Sequence, residues 1–130
     1  MREKVHPGKY GVPGGKLEWG NLPIGSPTRV NGDVLDFENA IEGLLKRETK
    51  EEAGIEIDDK FLYINSVAFV RPDEIPVVLV KFAAKYKGGD VVLEKGSFTD
   101  YKWVNAEEVK QHDCIDGVRD EVAETIKLFS

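Results

Sequence analysis

Three glutamates, Glu48, Glu51 and Glu52, crowd into the stretch "RETKEEAGI", residues 47 to 55. At spacings of three and four residues such side chains meet on one side of a helix and repel one another. Close to a helix C-terminus the macrodipole disfavours negative charge as well. Arg47 can pair with one of them, Glu51 being the nearest in register, or with a backbone carbonyl. The remaining charge calls for a hard divalent cation. Mg²⁺ takes oxygen ligands and sits between a few carboxylates and the phosphates of a substrate. A solvated charge run is the plain alternative, disfavoured by the helix end and by the face on which the glutamates fall.

That face follows from the element that carries them. The spacing predicts a helix from Phe37 to Ala53, with Asp36 as N-cap and Gly54 as its C′ stop. At about 100° per residue, Phe37, Ile41 and Leu44 form one apolar stripe, and Glu48, Glu51 and Glu52 continue it toward Ile55. Lys46, Glu42 and Lys50 take the solvent side. Short β-like runs are expected at Lys9–Val12, Leu62–Val70, Pro76–Tyr86, Asp90–Leu93 and Tyr101–Val104. "YKGGD", residues 86 to 90, is expected to turn one hairpin into "VVLE". Residues 20 to 36 are rich in Pro, Gly, Ser and Asn and read as a long, functional loop. A C-terminal helix would pack through Val118, Val122, Ile126 and Phe129. This order of elements predicts one α/β domain, layered around a mixed sheet.

At 130 residues, 41% hydrophobic and 32% charged, the chain suits a single globular domain. Its net charge of −6 disfavours a duplex nucleic-acid binder, which needs a basic face. No apolar run has the length of a membrane span, and "MREKVHPGKYG" lacks the apolar stretch of a signal peptide. Cys114, the only cysteine, excludes an internal disulfide and fits a cytoplasmic protein with a buried, inert thiol. His6 and His112 are isolated and carry no assigned role.

"RETKEEAGI" resembles the core of the Nudix box, with Thr49 where an aliphatic residue is usual. "GVPGGKLEWG" is similar to the strand and glycine turn that open the box, and "DYKWVNAEEV" to the family's late strand with its tryptophan. The resemblance spans nearly the whole chain, with two departures. Asn21 stands where the box has a glutamate, and the box is interrupted by the loop to Asp36. Glu38, one position off the usual distance from Arg47, is the stand-in candidate. The apolar strand that normally precedes the glycine turn is also shortened, which implies an exposed sheet edge and a homodimer seam near the N-terminal segment.

The resemblance implies an α/β/α sandwich with a mixed β-sheet over residues 1–130. It implies Mg²⁺-dependent hydrolysis, with Mn²⁺ as substitute, of a pyrophosphate bond in a nucleoside diphosphate linked to another group. The substrate would be a small nucleotide: a nucleotide sugar, a nucleoside triphosphate or a dinucleotide. Glu51, Glu52 and the Gly15 carbonyl would ligate metal. Glu48 would ligate metal or take the proton of the attacking water, oriented by Arg47. Glu94, with Asp100 second, is the candidate for a late acidic ligand or base, although surface solvation suits either. Arg29 and Arg71 are candidates for phosphate contact. Among aromatics that could stack a base, Trp19 is preferred over Tyr10 and Phe69. The same fold used as a non-catalytic nucleotide sensor is the rival reading, and the set Arg47, Glu48, Glu51 and Glu52 argues for catalysis.

Overall fold

The computed structural model describes residues 9–18, 20 and 22–129. Expectations for Trp19, Asn21, His6 and the first eight residues lie outside it. The long loop holds an element of its own. β1 (Arg29–Asn31) and β2 (Val34–Asp36) pair antiparallel, with Val30 opposite Leu35. Gly32, at φ 63°, opens their turn; a two-residue hairpin turn with glycine first matches the twist of its strands.

That hairpin changes where the first helix begins. Asp36 is not its N-cap: the residue closes β2 opposite Arg29, and its carbonyl accepts the Thr28 N–H at 2.8 Å. α1 spans Ala40–Ala53, with Asn39 as N-cap in a left-handed conformation (φ 57°) and no side-chain cap. Its other end is as the sequence predicts. Gly54 adopts φ 76° and donates its N–H to the Lys50 carbonyl at 2.9 Å, a conformation that costs glycine little. The buried residues of α1 are Leu44, Thr49 and Ala53, while Ile41 is exposed. The buried face is therefore rotated from the expected stripe, because Phe37 lies outside the helix. Glu48 and Glu52 flank that face half-buried, and Glu51 is exposed.

β3 (Glu56–Val70) and β4 (Pro76–Gly88) form a long antiparallel pair, Val67 opposite Leu79 and Phe69 opposite Val77. α1 packs on β3, where Lys46 donates to Asp59. That hydrogen bond, then the lysine's charge, holds the Asp59 carboxyl below its ordinary value. α2 (Val118–Leu128) also meets β3, and its buried Glu121 pairs with Lys81 of β4.

Tyr10, Val109, Cys114 and Val118 form a buried cluster, with Val104, Ile115 and Val122 packed against it. A parallel bridge holds it: Tyr10 N–H donates to Asp113 O at 2.7 Å, and Ile115 N–H to Tyr10 O at 2.9 Å. Cys114 is a buried free thiol, as expected. The α/β class stands; among the described residues the strands make two antiparallel pairs, and the Tyr10–Cys114 bridge is the parallel contact. Asp90–Leu93 and Tyr101–Val104 are not strands, and residues 86 to 90 do not turn a hairpin. Gly88 pairs with Glu56 of β3, and the chain beyond it runs instead along the end of α1.

Candidate active site

A helix leaves its last carbonyls without intrahelical donors. In α1 two of them are supplied by the segment after β4: Val92 N–H donates to Ala53 O at 2.8 Å and Glu94 N–H to Glu52 O at 3.0 Å. The alternation of an extended chain matches every second amide to successive carbonyls. Glu94 is thereby fixed to the backbone of Glu52. Ser97 Oγ donates to its carboxylate at 2.6 Å.

The glycine turn docks on the same helix through side chains. Gly14 N–H donates to Glu52 Oε2 at 3.0 Å. At Gly15 an added Cβ would stand 2.6 Å from Glu48 Cδ and 3.0 Å from its Oε1. Only a residue without a side chain lets the Glu48 carboxylate lie against the turn. Arg47 lies between neighbours, its Nη2 3.6 Å from Glu48 Oε1 and its Nε 3.9 Å from Glu51 Oε1. Pairing with Glu51 was expected, and Glu48 shares the guanidinium. Thr49, in the slot where an aliphatic residue is usual, is buried.

The donors gathered here are hard oxygens: the carboxylates of Glu48 and Glu52 and the backbone of the glycine turn. Among the described residues no three Asp, Glu, His or Cys side chains converge on one point. Mg²⁺ does not require that, because it is usually held by one or two carboxylates with waters and substrate phosphates. The residues fit the ion, with Glu51 the outermost of the three glutamates.

Other candidates fall elsewhere. Glu38 is paired with Arg29, and its N–H donates to Thr28 Oγ1 at 3.1 Å, so both charges are engaged at the β1–β2 hairpin. Arg71 Nη2 bonds Asp73 Oδ2 at 2.9 Å in the β3–β4 turn. Asp100 Oδ2 accepts the Tyr10 hydroxyl at 2.7 Å, which gives both a structural task. His112 packs edge-on to the Tyr10 ring, with centroids 5.2 Å apart. Phe69 lies exposed on β3.

Sequence reasoning missed Tyr86, Tyr101 and Trp103, which the fold gathers beside the 89–94 segment in an open cavity of about 530 Å³. Trp103 had a signal, its place in "DYKW". Nothing in the sequence joins Tyr86 to it.

A family model described as NUDIX domain matches residues 1–125 of the 130. No curated protein sequence gives a match.

Proposed function

The chain belongs to the Nudix family, whose domain indicates a hydrolase of pyrophosphate bonds in nucleoside diphosphate derivatives, and from that premise we propose a Mg²⁺-dependent enzyme centred on the Glu48–Glu52 turn of α1. The observation that carries this reading is the docking of the glycine turn on both carboxylates. In it Glu48, Glu52 and the Gly15 carbonyl would hold the ion, with Glu51 as a further candidate ligand. A bound divalent cation neutralises phosphate oxygens and lowers the pKa of the attacking water.

The chain's own residues do the rest. Arg47, with its Nη2 3.6 Å from Glu48 Oε1, would orient that carboxylate to accept the water's proton beside the glycine turn. Glu94, held by its own backbone to Glu52, is the second candidate base. Gly14 N–H holds one Glu52 oxygen. Arg29 and Arg71 would reach phosphate only after leaving their carboxylate partners. The reading places the protein in the cytoplasm, on its single cysteine, as a homodimer of single-domain chains acting on a small nucleotide.

The test is metal-dependent stability together with a substrate panel. Mg²⁺ or Mn²⁺ should raise the melting temperature, since a ligand of the folded state alone stabilises it, and Glu52→Gln should remove most of that gain. Nucleotide sugars, nucleoside triphosphates and dinucleotides would be screened for phosphate or pyrophosphate release. A melting temperature indifferent to both ions, with no turnover on the panel, overturns the enzyme reading. Stabilisation without turnover favours the nucleotide sensor.

A further inference from the structure

The cavity beside the 89–94 segment is lined by Tyr86, Gly89, Asp90, Val91, Tyr101 and Trp103. Its aromatic rings are open to solvent: Trp103 is 61% exposed, Tyr86 52% and Tyr101 41%. Tyr86 and Trp103 meet edge to face, with centroids 5.4 Å apart and planes at 69°. That arrangement suits the ring quadrupoles and leaves ring faces available to a further flat group. The Tyr86 hydroxyl is occupied, donating to Gly89 O, so the ring is held in place. Asp90 is the one charged side chain among the lining residues. A site with a carboxylate and no cation repels phosphate. It takes the other end of a nucleotide.

We propose that this cavity seats the nucleobase of the substrate and prefers guanine, a proposal that rests on the hydrolase reading above. Bases of every kind stack on aromatic faces; Asp90 supplies the discrimination. An ionised carboxylate only accepts hydrogen bonds and can accept two side by side. Guanine presents a ring N–H next to an exocyclic amine and fills both oxygens. Adenine and cytosine offer an amine alone. Uracil flanks its one N–H with two carbonyls, which the carboxylate repels.

Continuity with the glutamates supports the assignment. Gly89 abuts the end of α1, where an added Cβ would stand 3.1 Å from Gly54 O, and Val92 and Glu94 are bonded to Ala53 and Glu52. An extended chain from Asp90 to Glu94 reaches at most about 14 Å, comparable to the span from a base through ribose to its second phosphate. A base at Asp90 would leave the diphosphate within reach of Glu48 and Glu52.

The experiment is calorimetric titration of nucleosides, with choline as a non-planar cation control, in EDTA. Guanosine should bind more tightly than adenosine or cytidine, and uridine least. Trp103→Leu should weaken guanosine binding by on the order of tenfold or more, and Trp103→Phe should restore it. Asp90→Asn should abolish the preference over uridine while binding persists. Melting curves check folding, and Tyr101→Leu serves if Trp103→Leu does not fold. Uridine or choline binding as tightly as guanosine, or unchanged guanosine binding in folded Trp103→Leu and Tyr101→Leu, overturns the proposal. The titration needs neither phosphate nor metal. Guanosine binding without hydrolysis of any diphosphate derivative would remove the hydrolase reading alone; hydrolysis with a KM unmoved by Trp103→Leu would remove this one alone.

Discussion

Gly15 lies against the Glu48 side chain where the glycine turn meets the carboxylate helix, with no room there for a side chain at position 15. A methyl at position 15 would overlap the Glu48 carboxyl carbon at 2.6 Å, so the side chain would have to leave the turn. Gly15→Ala is expected to reproduce the kinetic defect of Glu48→Gln, both lowering kcat by about a hundredfold or more, as loss of a positioned base does. Glu38→Gln should lower kcat by much less, because Glu38 is engaged with Arg29. Single-turnover kinetics on the three variants decide it. A defect in Glu38→Gln equal to that in Glu48→Gln would move the base to the hairpin. Of the carboxylates named from the sequence, Glu48 and Glu52 are brought to the glycine turn. Glu51's exposure was not legible, because the wheel was anchored on Phe37, which β2 keeps out of the helix.

At the scale of elements, the end of α1 is where the sequence spoke most plainly. Gly54 marked the stop, and the β-branched runs after it marked β3 and β4. What followed was hidden. "VVLE" has strand composition, yet its amides answer the carbonyls of α1 instead of a neighbouring strand, a choice made by tertiary placement. The β1–β2 hairpin was hidden for a different reason: each strand has three residues, too few for a period to show. Likewise, Tyr86 and Trp103 lie far apart in sequence, and only the path of the chain after Gly88 joins them. Gly54→Ala tests the junction. The new side chain would sit at φ 76° and within 3.1 Å of Val92 N, so strain of about 1–2 kcal/mol adds to a loosened 89–94 segment. Chemical denaturation should show a lower midpoint, and KM for the nucleotide should rise. An unchanged midpoint would mean that the segment moves aside without cost.

For the whole molecule, the accessible surface is 9278 Å², against about 6,900 Å² for a folded monomer of 14.5 kDa. Exposed apolar side chains line the outer half of β3 and β4. Val67 opposes Leu79 on one face, and Ala68 opposes Val78 on the other. Val67, Leu79 and Val78 are 47%, 43% and 69% exposed. A large exposed apolar patch marks an interaction surface. Sedimentation at micromolar concentration is expected to show a dimer, and Val78→Lys should shift it toward monomer without lowering the melting temperature of the monomer. A wild-type monomer across that range refutes self-association. Self-association through this surface would put the seam at the β3–β4 hairpin, while a seam near the N-terminal segment would involve residues outside the described ones.

The pairing of Val92 and Glu94 with the last carbonyls of α1 also sets a clock. Amide hydrogens exchange with solvent only when their hydrogen bonds open. Residues 90 to 94 belong to no strand or helix, yet the Val92 and Glu94 amides should exchange slowly, at the opening rate of the helix end. The Leu93 amide between them should exchange quickly, giving an alternating record along an irregular stretch. A uniform fast rate would mean that the segment is not held there. Addition of Mg²⁺ should slow Val92 and Glu94 together, since both report the opening of the turn that carries Glu52.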